Sequence, residues 1–202
     1  MPGTIDFYFD FISPYSYLAH TQLPLLAARH QHRLAYHPVD LQALKLRGGN
    51  TGPSSREQPL KSRYNAQDFR RWSARYGVPI RRPSGYDPGN RLNKGAFLAL
   101  DRGAIGDYVT ASWRRVWGEG GNLADEQLMR DVARELGWNA DEFLAYTVSE
   151  PAERRFRAST DAAHERGVFG VPTMMIGDEL WWGNDRLDFL AEYLASAATV
   201  SR

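Results

Sequence analysis

Ile5-Asp6-Phe7-Tyr8-Phe9-Asp10-Phe11-Ile12-Ser13-Pro14-Tyr15-Ser16 is the stretch on which the fold turns. Residues 5–12 mix alternation with continuous apolarity and aromatic side chains, the pattern of a central strand. Ser13 suits a helix N-cap, and Pro14 suits the first helical position, whose N–H would be unpaired in any case. The helix is expected to run to about His30, with Leu18, Leu25 and Leu26 among its buried residues. Residues 33–39, Arg-Leu-Ala-Tyr-His-Pro-Val, read as a second strand. If the two strands are parallel, strand, helix and strand make a right-handed βαβ unit.

Strand signals return only after Gly170. Thr173–Ile176 and Glu179–Trp182 flank Gly177-Asp178, a tight hairpin turn. Asn184 or Asp185 then caps a last helix over residues 186–197. From Asp40 to Arg166 the periodicity is helical. Leu128, Val132 and Leu136 recur at i, i+4, i+8 behind Asp125, with Gly137 as a stop. Asn139 caps a short helix containing Phe143, Leu144 and Val148, and Pro151 opens another that ends at Gly167. Residues 47–63, rich in Gly, Ser, Pro and Arg, read as a loop, long enough to be functional or mobile. The order βαβ, helices, ββα predicts an α/β, thioredoxin-like sheet with an inserted all-helical domain. Residues 1–40 plus 167–202 form the thioredoxin-like part, and residues 41–166 the insert.

In such folds the first strand-to-helix turn holds Cys-x-x-Cys, and a cis-proline loop packs beside it. This chain has no cysteine; Ser13 and Ser16 stand at the turn, and Val171-Pro172-Thr173 supplies the loop. Disulfides, thiolate metal sites and a cysteine nucleophile are thereby excluded. Any sulfur chemistry needs a sulfur brought by a cofactor, and glutathione is the candidate. His20, His30, His32, His37 and His164 show no metal-ligand spacing, so no metal is expected. Trp113 and Trp117, at i and i+4, read as core packing, although Trp117 could wall an aromatic pocket. Lys+Arg 25 against Asp+Glu 24 argues against a general role on nucleic acid or membrane surfaces. Hydrophobic residues at 43% and aromatics at 12% suffice for a core. The first residues are too polar for a signal peptide, and no run approaches the roughly 18 apolar residues of a membrane span. A cytoplasmic protein is expected.

The chain resembles the 2-hydroxychromene-2-carboxylate isomerase family, glutathione-dependent enzymes of bacterial naphthalene breakdown related to kappa-class glutathione transferases. The matching residues begin with Asp6-Phe7-Tyr8-Phe9-Asp10-Phe11 and Ser13-Pro14, then Gly49-Asn50 with Gly52-Pro53-Ser54. They continue through Trp117-Gly118-Glu119-Gly120 and Val168-Phe169-Gly170-Val171-Pro172-Thr173-Met174 to Gly177-Asp178-Glu179. Trp181-Trp182-Gly183-Asn184-Asp185-Arg186-Leu187 completes the set, so the resemblance covers nearly the whole chain.

That resemblance implies roles for individual residues. Ser13 becomes the catalytic residue. A serine before proline is ordinarily an N-cap, but its oxygen can accept from a helix N–H while its O–H donates to a sulfur and favours the thiolate. Partial positive charge at the helix start adds to that effect. Ser16 is read as a first-turn helix residue. A cis Val171-Pro172 bond would leave the Val171 backbone groups to pair with an extended peptide such as glutathione. Trp182, Gly183, Asn184 and Asp185, otherwise capping residues beside an aromatic edge, would hold the γ-glutamyl end, with Asp185 on its ammonium. Asn50 and Lys61 match kappa-class positions for the same ligand. Lys45, Ser55, Arg56 and Tyr86 would bind a small aromatic carboxylate substrate; an Arg fork suits a carboxylate and Lys supplies a point charge. Ser55 departs from the asparagine expected beside the arginine. Without the resemblance, Lys45 and Arg56 would pass for solvated charges.

The activity implied is ring opening and cis–trans isomerisation between 2-hydroxychromene-2-carboxylate and trans-o-hydroxybenzylidenepyruvate, by reversible thiolate addition, bond rotation and elimination. A homodimer is expected, with no nucleic-acid or membrane partner. Two alternatives stand beside it: a kappa-like glutathione transferase that releases adducts, and a non-catalytic DsbA-like peptide-binding protein. The charged stretch Lys45–Arg63 speaks against the apolar groove that a peptide binder needs.

Overall fold

A computed structural model describes residues 3–54 and 57–200. Its sheet has four strands, β1 (Thr4–Phe9), β2 (Arg33–Pro38), β3 (Thr173–Ile176) and β4 (Glu179–Trp182), in the order β2-β1-β3-β4. β1 and β2 are parallel, with Phe7 opposite Tyr36, while β3 runs antiparallel to both β1 and β4. The hairpin turn lies at Gly177, whose φ of 59° favours a residue without Cβ. The sheet is a mixed, thioredoxin-like one of the expected βαβ…ββα order.

Between β1 and β2 the helical run is broken in two, α1 (Pro14–His20) and α2 (Leu23–Arg29). Pro24 explains the break: it has no N–H to offer the carbonyl four residues back, and its ring crowds that carbonyl. At the break, Thr21 Oγ1 donates to Leu18 O at 2.7 Å. The restart rotates the helix phase, so Leu23 and Ala27 enter the core while Leu25, expected inside, is exposed.

Among the described residues, seven helices separate β2 from β3. They are α3 (Leu41–Arg47), α4 (Pro59–Tyr76), α5 (Arg91–Asp101), α6 (Ile105–Trp113), α7 (Glu126–Glu135), α8 (Ala140–Thr147) and α9 (Glu150–Glu165). A π-helical turn, 114–118, continues α6. The reading of 47–63 as loop is corrected at its end: Pro59 opens α4, since a proline at a first helical position loses no bond it could have made. Asp125 and Asn139 cap α7 and α8 as expected, and Ser149 caps α9. Val148 lies one residue past α8 and is exposed, because the last turn leaves it outside the packed face. After β4 a short 3-10 turn, Asn184–Arg186, precedes α10 (Leu187–Val200), so the last helix begins one residue later than expected.

Alternation along β1 feeds a core on each face. Ile5, Phe7 and Phe9, with Phe11 beyond the strand, join Leu18, Trp113, Tyr108 and Leu190 on one side. Tyr8 joins Val39, Leu44, Ala163, Val168 and Met175 on the other. Phe9 and Phe11 lie 5.2 and 5.1 Å, centroid to centroid, from Trp113. The larger core thus runs without interruption from the sheet into the intervening helices.

Candidate active site

Strand direction assembles the site. β1 and β2 end, β3 begins and β4 ends on the same side of the sheet, because β1 and β2 are parallel and β3 is antiparallel to its neighbours. Ser13, Val171-Pro172, Trp182–Asp185 and the start of α3 therefore meet at one end.

Ser13 is the N-cap of α1 and almost wholly buried. Its Oγ accepts from the Ser16 N–H at 3.1 Å, and its own hydrogen meets no acceptor among the described residues. The hydroxyl thus keeps one donor to give. Ser16 lies in the first turn, buried, with its Oγ unpartnered.

The Val171-Pro172 peptide bond is cis, and no described hydrogen bond engages Val171 N–H or C=O. Pro172 O accepts from Gly183 N at 2.9 Å, which ties the loop to the end of β4. Gly183 sits at φ 108°, and a Cβ there would come within 2.3 Å of Asp185 Oδ1. Only glycine leaves that carboxylate in place. Asp185 is half-exposed, 3.6 Å from Arg186. Asn184 is buried, and its Nδ2 has no partner. Tyr76 of α4 donates to Asn184 O at 3.2 Å. Trp182 is exposed and stacks edge-on against Phe169 at 4.9 Å.

From the intervening helices, Lys45 of α3 is half-buried; burial lowers its pKa, while the nearby Asp10 charge pulls it back up. Asn50 is exposed and anchored through its N–H to Lys45 O at 2.8 Å. Tyr86 lines a narrow hollow with Asp10, Ile12 and Asn93, directly behind the Ser13 turn. Lys61 is exposed in the first turn of α4. Ser55 and Arg56 lie outside the described residues.

Several neighbours escaped sequence reasoning. Tyr15 donates to Asp68 at 3.0 Å and packs on Phe69 at 5.2 Å, so α4 lies along α1 beside the site. Trp117 is buried as expected, yet its Nε1 also donates to Phe11 O at 2.9 Å, an indole bond that spacing cannot show. Asp10, an acid between two phenylalanines, was the one visible signal of a buried polar contact; Asn93, inside a helical run, gave none. A separate cleft of about 220 Å³ between α3, α5 and α9 is lined by charges already paired, Lys94 with Glu153 and Glu153 with Arg157. Among the described residues no group of acids and histidines could hold a metal ion.

A family profile described as DSBA-like thioredoxin domain matches residues 4–195. A 2-hydroxychromene-2-carboxylate isomerase of Sphingobium xenophagum is 41% identical over 96% of this chain and 99% of its own. A solved structure of a 2-hydroxychromene-2-carboxylate isomerase superimposes with a TM-score of 0.93 at 39% identity, covering 98% of this chain and 97% of its own. More distant is a kappa 2 glutathione S-transferase of Caenorhabditis elegans, 28% identical over 95% of this chain and 91% of its own.

Proposed function

The chain belongs to the 2-hydroxychromene-2-carboxylate isomerase family of DSBA-like thioredoxin-domain proteins, and from that membership we propose a glutathione-dependent isomerase. Its substrate pair is 2-hydroxychromene-2-carboxylate and trans-o-hydroxybenzylidenepyruvate, in naphthalene or polycyclic aromatic breakdown. The observation that carries the cofactor is the Ser13 hydroxyl, a donor left over at the turn where a cysteine-free chain has no thiol of its own. The buried, unpartnered Asn184 Nδ2 supports the fit, since an amide donor without an acceptor is matched by a ligand carboxylate.

Bound here, glutathione would supply a thiolate, the nucleophile that a reversible addition to the double bond of the opened ring requires. The protein's own share is electrostatic and positional. Ser13 donates its O–H to the sulfur and so favours the charged form. The Val171 N–H and C=O pair with the peptide backbone in the manner of an added strand. Asn184 and Asp185 would take the carboxylate and ammonium of the γ-glutamyl end, with Trp182, Gly183, Asn50 and Lys61 as its further contacts. Lys45 would meet the substrate carboxylate with Tyr86 beside it; Ser55 and Arg56 take their assignment to the same substrate from the family resemblance. Holding the reacting groups together in this way can lower the barrier by about 7–11 kcal/mol in favourable cases.

A homodimer and a cytoplasmic location belong to the same reading; among the described residues, no helix is long and apolar enough to cross a membrane. The test is spectrophotometric turnover of 2-hydroxychromene-2-carboxylate with and without glutathione, and calorimetric titration of glutathione alone. Turnover that needs no thiol removes the cofactor. Conjugation of a chloronitrobenzene without isomerisation replaces the reading with a kappa-like transferase.

A further inference from the structure

The Ser13 turn is held from below by a buried acid–amide pair that the chemistry above does not use. Asp10 is 2% exposed and Asn93 of α5 also 2%. Asp10 Oδ1 accepts from Asn93 Nδ2 at 2.7 Å and from Ile12 N at 3.0 Å, and its Oδ2 accepts from Leu41 N at 3.0 Å. Asn93 Oδ1 in return accepts from Phe11 N at 3.1 Å. The Asp10 carbonyl accepts from Ser13 N at 3.0 Å. Every backbone N–H from Phe11 to Ser13 is therefore claimed by Asp10 or Asn93. The same carboxylate fixes the first N–H of α3, the helix that carries Lys45.

We propose that Asp10 and Asn93 are positioning residues, a clasp that sets the Ser13 hydroxyl and the Lys45 ammonium in fixed relation to each other. The inference deepens the proposed function and rests on it. Its physical basis is the donor count: all three partners of the Asp10 carboxyl are N–H groups, so only the charged form satisfies them both ways. A proton on Oδ2 would face the Leu41 N–H and find no acceptor. The charged groups acting on Asp10 are Asp40, the N-cap of α3, and Lys45 within that helix; buried Asp87, from the segment before α5, lines the same hollow. Burial pushes its pKa up to about 6, against the pull of Asn93 and the two backbone N–H groups. The clasp accordingly loosens as pH falls through that range.

The experiment compares wild type, Asp10→Asn and Asn93→Leu by steady-state kinetics from pH 5 to 8, with glutathione affinity from calorimetry and the Asp10 carboxyl followed by infrared titration. Wild type is expected to lose kcat on acidification near pH 6, with the infrared titration at the same midpoint. In Asn93→Leu, loss of a donor moves both midpoints upward and lowers plateau kcat about tenfold or more. In Asp10→Asn the acid limb disappears and plateau kcat falls similarly, while glutathione affinity stays within about twofold in either variant. Folded variants with wild-type kcat and an unmoved acid limb overturn the clasp. So does an infrared midpoint that shifts without kcat following it. If Asp10→Asn does not fold, Asn93→Leu and the wild-type infrared titration decide the matter. Thiol-independent turnover, visible in wild type before any variant is compared, fells the glutathione reading and the clasp's role in it; equal turnover in all three proteins fells the clasp alone.

Discussion

At Ser13 one oxygen caps a helix, and the second duty proposed for it can be measured apart. Its lone pair caps α1 through the Ser16 N–H, and its hydrogen remains for a ligand. Ser13→Ala should therefore cost about 1 kcal/mol of stability from the lost cap. It should also lower turnover about 10- to 100-fold, because a hydrogen bond to a charged acceptor contributes about 1.5–3 kcal/mol. Glutathione affinity should change little if, as proposed, its other contacts are Val171 and residues 182–185. Calorimetry and kinetics on the one variant check both halves; unchanged turnover would take Ser13 out of the chemistry. Lys45 carries the complementary prediction. Its ammonium is half-buried, with its pKa lowered by that burial, so a substrate carboxylate is a better partner than water. Lys45→Met should raise KM for the chromene carboxylate about tenfold or more and leave glutathione binding intact. A KM equal to that of wild type would return Lys45 to the role of a solvated charge.

At the scale of elements, α5 decides whether the intervening helices can support the site. It carries Asn93 and packs on α6, α8 and α9. The approach depends on Gly95: a Cβ there would meet Tyr108 Oη at 2.6 Å and the Phe143 ring at 2.7 Å. Both aromatic side chains are fully buried, so neither can swing away. Helix propensity alone says Gly→Ala gains about 1 kcal/mol. Overpacking should reverse the sign, and Gly95→Ala is expected to lose about 1–3 kcal/mol in urea denaturation. A stabilised variant would mean that α5 has room to move. Elements with strong local signals were legible in the sequence. The hairpin at Gly177-Asp178 and the caps at Asp125 and Asn139 need only nearby residues. The break between α1 and α2 was missed although Pro24 was in plain view, because the apolar spacing on both sides continues across it.

Across the whole molecule, two buried groups, His20 and Asp10, set opposing pH dependences. His20 sits between Thr110 at 2.9 Å and Tyr36 at 3.4 Å, and burial pushes its pKa down to about 4. Between pH 6.5 and 4 the unfolded chain takes up that proton and the folded chain does not, so stability falls with acidification. Asp10, pushed up to about 6, does the reverse: the folded chain takes up the proton first, so stability rises as pH falls through the same window. Each displacement corresponds to about 3 kcal/mol, and in wild type the two oppose each other. His20→Gln should grow more stable from pH 6.5 to 4, and Asp10→Asn less stable, in urea titrations at fixed pH. Identical slopes in both variants would refute the opposition. Residues 5–16, 33–39 and 171–187 determined the strands, their order along the chain and the turn at which Ser13 stands. These are local patterns: strand periodicity, a capped proline, a hairpin turn. What only the tertiary structure decided was the support beneath them, namely Asp10 with Asn93 and Leu41, Trp117 with Phe11, and Tyr76 with Asn184. Hydrogen bonds across such sequence separations leave no period in the chain, because a buried polar group needs a partner of the right chemistry at the right place in space and not at any fixed spacing.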